Sequence, residues 1–375
     1  MYAVDLNPMA VELAKVSLWI NSAVEDKPLN FLDHHIKCGN SLIGSNSELL
    51  EGEFPVDAYE TSSGRDWHVG NEIRKRVRSE NKERSKGSSE SSLQYWGASK
   101  EEYVDLAERL DAIQEEDTED IEKKRDLYDE LRESEAFQKE KISYDIWTAA
   151  FYWPMDGSAK EYPSPSTIEK IRRNPNPDDE ALQDLINRAA KIAKDQKFFH
   201  WNLEFPEVFS QEGFDCIIGN PPWDSMEMRE KEFFAVEAPD IAQASTASKR
   251  SKLINNLKDS NPQLYDKYER RKENIESRVK FVKNSGRFPL SSYGIVNTYA
   301  PFAEHSLKSL NNNGRSGLIT PTAIATGSDT QDFFQFLIEN RRLVSIYDFE
   351  NVKGIFPEID SRYRFCLLTL AGKDE

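Results

Sequence analysis

Cysteine is scarce in this chain, with only three among 375 residues. Cys38, Cys216 and Cys366 lie far apart and form no C-x-x-C pair, so neither a disulfide framework nor a zinc site is indicated. Long apolar runs are also missing: none approaches the ~20 residues that span a bilayer, and no basic segment followed by an apolar one opens the chain. These absences predict a soluble, cytoplasmic protein without a membrane partner.

Basic residues are fewer than acidic ones. The chain has 66 acidic and 49 basic residues, which gives a formal net charge of -17. A polyanion such as nucleic acid is therefore not expected to bind over most of the surface, and any such contact should be local or come from another domain. The basic run RKRVR at residues 74–78 is predicted to be a solvated helix face in preference to a phosphate site.

Metal-binding patterns are equally sparse. His34, His35 and Cys38 are close in sequence. Neighbouring residues on a strand point to opposite faces, however, so the two histidines are not expected to share a metal and no metal site is predicted.

What the chain does have is a strand and helix pattern at its start. Tyr2 to Val4 are apolar and strand-forming, Asn7 is a plausible N-cap, and Pro8 suits the first position of a helix. The packed face of that helix is predicted from the i, i+3, i+4, i+7, i+8 spacing of five residues: Ala10, Leu13, Ala14, Ser17 and Leu18.

The same α/β pattern resumes after residue 196. FDCIIGN, RSGLITP, LVSIYDF and RFCLLTLAG are predicted strands, NTYAPFAEHSLKSLNNNG a helix that ends near Gly314, and DTQDFFQFLIEN a second helix. This alternation predicts an α/β fold with a largely parallel sheet covered on both faces, ending in an antiparallel edge pair.

Residues 51–195 differ in composition and are predicted to be a charged, mostly helical insertion. The α/β core would then be discontinuous, formed by residues 1–50 and 196–375. Within the insertion SENKERSKGSSESS is predicted to be a linker. The apolar piece SYDIWTAAFYWPM is predicted to pack the insertion on the core, with ordinary core packing as the favoured alternative.

Three polar residues fall at predicted strand ends: Asp5, Asn40 and Asn220. Ligands of open α/β sheets bind beyond these carboxyl ends. A carboxylate there can accept two hydrogen bonds side by side from the hydroxyls of a ribose. An ordinary surface aspartate before an N-cap would look the same as Asp5.

The stretch GNPPW is more specific. Pro221 and Pro222 fix the backbone and remove two donors, which leaves the Asn220 amide oxygen and a proline carbonyl as fixed acceptors beside the ring of Trp223. Two acceptors and an aromatic plate form a socket for a planar group with an exocyclic amine. A proline-rich turn after a core strand is the structural alternative.

The sequence resembles the Asn-Pro-Pro-aromatic methyltransferases, chiefly the enzymes that methylate N6 of adenine in DNA. Four longer strings, VDLNPMAVELAKVSLW, FLDHHIKCGNSLIG, GLITPTAIATG and IFPEIDSRYRFCLLTLAG, are similar to the core of large restriction-modification and BREX-type phage-exclusion enzymes. The resemblance covers residues 1–45 and about 197–372, and it implies a Rossmann-like fold, S-adenosylmethionine as cofactor and DNA as partner.

Carried over by position, the resemblance also implies residue roles. Asp5 and Leu6 would lie at the cofactor ribose, and Asn40 and Leu42 by its adenine. Asn220 and the Pro221 carbonyl, held in place with Pro222, would bind the target amine. Two aromatic residues would hold the flipped base from its two faces, Trp223 and Phe356, although Phe356 could equally be an ordinary core residue.

Two parts of the family pattern are missing. No G-x-G occurs in the chain, so the first strand and its glycine-rich cofactor loop are absent, and no target recognition domain follows the last strand. The expectation is a core truncated at both ends, inactive or weakly active alone, with an upstream polypeptide completing the cofactor site. Alternatives are a non-catalytic remnant or split-enzyme subunit of such a system, and a protein glutamine methyltransferase with a similar socket.

Overall fold

Strands and helices alternate along the computed structural model, which describes residues 1–22, 28–61, 67–86, 90–357 and 360–373. The fold is mixed α/β, as the sequence predicts. The described strands are β1 (Ala3–Asp5), β2 (Ile36–Cys38), β3 (Phe214–Gly219), β4 (Leu310–Pro321), β5 (Leu343–Glu350) and β6 (Arg364–Ala371).

Helices form most of the remainder. Those before β3 are α1 (Pro8–Ser22), α2 (Ser47–Glu51), α3 (Trp67–Lys86), α4 (Glu90–Ala112), α5 (Thr118–Glu133), α6 (Glu135–Ala149), α7 (Pro165–Arg173), α8 (Glu180–Gln196), α9 (Trp201–Glu204) and α10 (Pro206–Ser210). Those after it are α11 (Glu230–Phe234), α12 (Pro239–Ala242), α13 (Ala247–Ser260), α14 (Pro262–Asn284), α15 (Tyr299–Lys308), α16 (Ala323–Thr326) and α17 (Gln331–Glu339). Short 3₁₀ turns lie at Val56–Tyr59, Ala150–Tyr152, Ser328–Thr330 and Asn351–Lys353. Among the described helices, none has the length and apolar character that crossing a membrane requires.

The strands form two separate sheets. β1 and β2 pair in parallel, and the other sheet has the order β3-β4-β6-β5. β3 and β4 are parallel, whereas β6 runs antiparallel to both of its neighbours. The predicted antiparallel pair at the end of the chain is thus confirmed, with β6 inside the sheet and β5 at its edge.

One edge of β1 and one edge of β3 carry no strand in the described part of the chain. β1 pairs only with β2, and β3 only with β4. The two free edges begin near each other, since the rings of Tyr2 and Phe214 lie 5.6 Å apart between centroids. Ile218 of β3 is 85% exposed, which is unusual for a strand of a parallel sheet. The prediction of a sheet covered on both faces is therefore wrong for β3, because the face that carries Ile218 is uncovered in the described part of the chain.

The packed face of α1 overlaps the predicted one but is rotated toward Val11 and Lys15: Ala10, Ala14 and Leu18 are half-buried, whereas Leu13 and Ser17 are exposed. The N-terminus of α1 agrees with the sequence, because the Met9 backbone N–H donates to the Asn7 side chain and Pro8 is the first helical residue. The buried residues, however, are Val11 and Lys15, while Leu13 is 59% exposed. The Lys15 side chain can be buried because its Nζ lies 2.6 Å from the carboxylate of Asp33, which precedes β2.

A single large apolar cluster joins the predicted insertion to the rest of the chain. Trp147 and Phe151, from the apolar piece of the insertion, are almost fully buried, and their rings contact Phe281 of α14. The apolar piece is therefore buried and contacts α14, which lies outside the predicted insertion. The boundaries at residues 51 and 195 remain a prediction.

Two boundaries differ from those predicted. Residues 79–86 of the expected linker belong to α3, because Arg84 donates to the Leu50 carbonyl and Asn81 hydrogen-bonds the Phe54 backbone; residues 87–89 lie outside the described part. The helix predicted to end near Gly314 ends at Lys308, since Leu310 already pairs with Phe214 in the sheet.

Candidate active site

A cavity of about 1060 Å³ is lined by the carboxyl ends of β1 and β3. The three polar residues predicted at strand ends, Asp5, Asn40 and Asn220, all line it. Asp5 and Asn40 converge because β1 and β2 are parallel, so their carboxyl ends lie on one side of their sheet. Asn220 follows β3 of the other sheet and lines the same cavity. The volume is at the upper end of the range for small-molecule sites, which leaves room for more than one ligand group.

The loop after β3 presents two free acceptors to this cavity. Asn220 is exposed and Pro221 is buried, and no group of the described residues hydrogen-bonds to the Asn220 amide or the Pro221 carbonyl. The Thr298 hydroxyl holds the loop from the side, with its Oγ1 2.5 Å from the Pro222 carbonyl oxygen. The loop is therefore held through the Pro222 carbonyl, while the two acceptors stay available for a ligand.

The predicted aromatic residues lie next to each other but not in the cavity. Among the described residues, Trp223 and Phe356 are not part of its lining. The Trp223 ring nitrogen donates to the Ile319 carbonyl at 3.3 Å, and its ring meets Phe356 edge-on with centroids 5.6 Å apart. Two rings in mutual contact leave no room for a base between them, so a sandwiched base requires them to separate.

The predicted cofactor residues also line the cavity. One carboxylate oxygen of Asp5 accepts from the Asn7 backbone at 2.6 Å, and the other has no partner among the described residues. The side chain of Leu6 is 46% exposed. Asn40 accepts from the Leu42 backbone at 3.3 Å, and Leu42 is only 3% exposed. Asp5 and Leu6 are thus accessible to a ligand, whereas Leu42 supports the turn from inside.

Arg287 is a supporting residue that the sequence does not reveal. Its guanidinium donates to the carbonyls of Ser41, Leu42 and Gly44, so it holds the backbone turn that carries Asn40. Burial lowers the pKa of Arg287 to about 10. An isolated arginine in SGRFPL gives no sign of this role, because the contact joins segments about 245 residues apart.

Gly44 lies in the same turn and allows a close approach of two backbones. A Cβ atom at this position would lie 2.0 Å from the Phe199 carbonyl oxygen. Gly44→Ala is therefore expected to lower the free energy of unfolding by about 3 kcal/mol, measured by urea denaturation.

Gly317 of β4 is the matched control for this substitution. A Cβ there meets nothing within 4 Å. Gly317→Ala is expected to change the free energy of unfolding by less than about 0.5 kcal/mol. Equal losses for the two variants would show that the contact with Phe199 is not the cause.

His34 and His35 lie in a turn before β2, not on a strand, so the prediction that they point to opposite faces is wrong. Their ring centroids are 3.7 Å apart, and with Asp111 they offer three ligand atoms within 4.8 Å of one another. Burial, the neighbouring ring and two lysine side chains lower the pKa of His34 to about 2. The same lysine charges oppose a bound cation, and His34 stacks on Phe31, so we interpret the pair as packed rings.

A mixed α/β fold with an Asn-Pro-Pro-aromatic loop at a strand end is the arrangement expected of a methylase. Comparison with protein families agrees: the model of the Eco57I restriction-modification methylases matches residues 1–257 and 265–356. The chain belongs to this family.

One relative is a Methanocaldococcus jannaschii protein named as a candidate type II restriction enzyme and methyltransferase. It is 26% identical over 241 residues, a match that covers 60% of this chain and 18% of the relative. The chain thus spans about a fifth of the length of the curated relative that it matches. No solved structure matches the chain.

Proposed function

We propose that the chain is the catalytic core of a site-specific DNA methyltransferase, which transfers a methyl group from S-adenosylmethionine to N6 of an adenine flipped out of the duplex. The observation that carries this proposal is the pair of unused acceptors, the Asn220 amide oxygen and the Pro221 carbonyl, on the wall of a large cavity. Membership of a restriction-modification methylase family supports DNA as the substrate.

In this proposal the loop residues act directly on the amine. Asn220 and the Pro221 carbonyl each accept one N–H bond, which fixes the amine and makes its lone pair more available as it attacks the methyl carbon. Trp223 packs on the flipped base, and Phe356 reaches its other face once the two rings separate. No covalent intermediate with the enzyme and no metal is required.

The residues on the cofactor side offer acceptor and apolar groups that fit S-adenosylmethionine. Asp5 has a free carboxylate oxygen for a ribose hydroxyl, Leu6 offers exposed apolar surface, and Asn40 lies on the cavity wall, with Leu42 beneath it. When bound, S-adenosylmethionine supplies an activated methyl group on its sulfonium. The residues of this chain orient it and keep the acceptor amine in reach.

The two sheets are, in the same proposal, parts of one Rossmann-like sheet interrupted between β1 and β3. A strand that pairs with both free edges would join them, and the glycine-rich turn after it would hold the methionine end of the cofactor. An upstream segment or a separate polypeptide supplies this strand. Residues 1–50 and 196–375 form the core, and residues 51–195 form an insertion packed on it.

Calorimetric titration with S-adenosylmethionine tests the proposal. The chain alone is expected to show no binding in the micromolar range, because the edges of β1 and β3 lack their common partner. Addition of a polypeptide that supplies the strand and the glycine-rich turn is expected to produce such binding, and Asp5→Ala is then expected to weaken it about tenfold.

Two results would contradict this assignment. Micromolar binding by the chain alone would show that the cofactor site needs no further strand. A completed protein that binds no S-adenosylmethionine would favour the alternative of a non-catalytic assembly module, for which the open strand edges are the supporting observation.

A further inference from the structure

The helices α13 and α14 are basic in an acidic chain. Residues 247–284 contain eleven Lys and Arg against five Asp and Glu, so this segment is net +6 while the whole chain is -17. A segment of this charge attracts phosphate, whereas most of the remaining surface repels it.

These helices belong to a small unit with its own apolar core. Phe234 of α11, Ile254 and Leu257 of α13, and Leu264 and Tyr268 of α14 pack together and are at least 90% buried. Polar contacts tie α11 to both basic helices: its Glu230 lies 2.6 Å from Arg250 and 2.9 Å from the Tyr268 hydroxyl. The basic surface is therefore carried on a fixed scaffold.

The unit also contributes to the wall of the candidate active site. Arg271, Ile275 and Arg278, spaced i, i+4 and i+7 on one face of α14, line the same cavity as Asn220. Arg229, in the loop between β3 and α11, lines it too. One face of α14 thus extends from the apolar core of the unit to the cavity.

Several cations of this unit are not used within the protein. Lys249, Lys252 and Arg271 are exposed, and none of their side chains forms a hydrogen bond or ion pair with any described residue. On α13 the buried residues Ile254 and Leu257 take the opposite face, so Lys249 and Lys252 point outward.

We propose that the outer surface of α13 and α14 binds the phosphate backbone of duplex DNA beside the cavity that receives the flipped base. This proposal rests on the proposed function, in which DNA is the substrate. A flipped base has to remain attached to a backbone that passes the cavity mouth, and arginine and lysine are the residues that position such a backbone.

Helix α3 is the control that separates the effect of position from the effect of charge, because it is basic but none of its described residues lines the cavity. Residues 67–86 contain seven Lys and Arg against three Asp and Glu, so this helix is also net positive. Lys75, Arg78 and Lys82 are exposed and have no partner among the described residues. No described residue of α3 lines the cavity. Charge alone therefore predicts equal effects for the two helices, whereas the proposed surface predicts unequal ones.

The experiment compares two triple variants with the same loss of three positive charges. K249Q/K252Q/R271Q alters the proposed surface, and K75Q/R78Q/K82Q alters α3. Binding to a 30-base-pair duplex of mixed sequence is measured by fluorescence anisotropy between 50 and 200 mM salt. The first variant is expected to raise Kd about tenfold or more and to reduce the salt slope by about 2 to 3, and the second is expected to change Kd less than twofold.

Other outcomes would reject either the contact surface or the DNA substrate. Equal weakening by both variants, or no effect of the first, would reject α13 and α14 as the contact surface while DNA remains the substrate. Failure of the unaltered chain to bind duplex DNA at 50 mM salt, where it binds a single-stranded RNA of equal length, would reject the proposed DNA substrate itself.

Discussion

Replacement of Lys37 by methionine is expected to lower the free energy of unfolding by about 3 kcal/mol. The Glu204 carboxylate has a side chain only 12% exposed, and its Oε2 lies 3.1 Å from Lys37 Nζ and 2.6 Å from an Arg132 guanidinium nitrogen. Removal of one partner from a buried ion pair typically costs about 3–5 kcal/mol, because the remaining charge keeps its desolvation penalty. Arg132 remains in Lys37→Met, so the low end of that range applies. Urea denaturation measures the change.

The control is a lysine with the same type of partner at the surface. Lys123 pairs with Glu119 and Asp120, and its side chain is 56% exposed. Solvent screens such a pair, so Lys123→Met is expected to leave the urea midpoint unchanged within error. A loss for Lys37→Met no larger than that for Lys123→Met would show that the contacts of Glu204 are not important for stability.

The same contacts predict how stability depends on pH. Burial by itself would raise the pKa of the Glu204 carboxyl, but Lys37 and Arg132 hold this pKa well below its usual range. A folded-state pKa below the unfolded value of ~4.3 stabilises the protein above that pH, and the stabilisation is lost as pH falls further. Lys37→Met raises the folded-state pKa, so its loss of stability between about pH 4 and pH 3 should be smaller than that of the unaltered chain.

These ion pairs also join the predicted insertion to the rest of the chain. Lys37 belongs to β2, Arg132 to α5 of the predicted insertion, and Glu204 to α9. Residues 51–195 are predicted to be an insertion from their composition, because the charged helices of this segment contain few large apolar residues. Composition does not indicate which charged side chain turns inward, since that depends on partners more than 70 positions away.

The position of Asn220 follows from local sequence. An apolar strand that stops at a glycine, followed by two prolines, ends where the ladder can no longer be continued, and β3 does end at Gly219. Asp5 and Asn40 lie on the same cavity because parallel strands end on one side of the sheet. The polar wall of the site was thus predictable from strand ends alone.

The surroundings of that wall were not predictable in the same way. The apolar spacing of α1 predicts Leu13 inside, but apolar periodicity shows only that a face is available for packing, not that a partner covers it. Lys15 forms the inward face instead, since Asp33 lies next to it. Gly44 and Arg287 likewise depend on contacts between distant segments, which no local pattern encodes.

Asn220→Ala is expected to reduce kcat for methyl transfer by roughly 10²- to 10³-fold, because the loss of one fixed polar contact to the reacting group costs about that much in comparable sites. The assay uses the protein completed with the proposed additional strand, labelled S-adenosylmethionine and DNA of mixed sequence. Asn220→Asp keeps an acceptor oxygen and should retain more activity than Asn220→Ala. Asn187→Ala, an exposed asparagine of α8 without a partner among the described residues, is the control and should retain full activity.

The division of the effect between kcat and KM distinguishes a reacting contact from a structural one. The two acceptors are proposed to act on the amine as its nitrogen attacks, so Asn220→Ala should lower kcat and leave KM for DNA within about threefold. A variant with unchanged kcat and a raised KM would show that Asn220 only holds the base. A variant with full activity would contradict the amine socket, because the Pro221 carbonyl would then be the sole acceptor that the reaction needs.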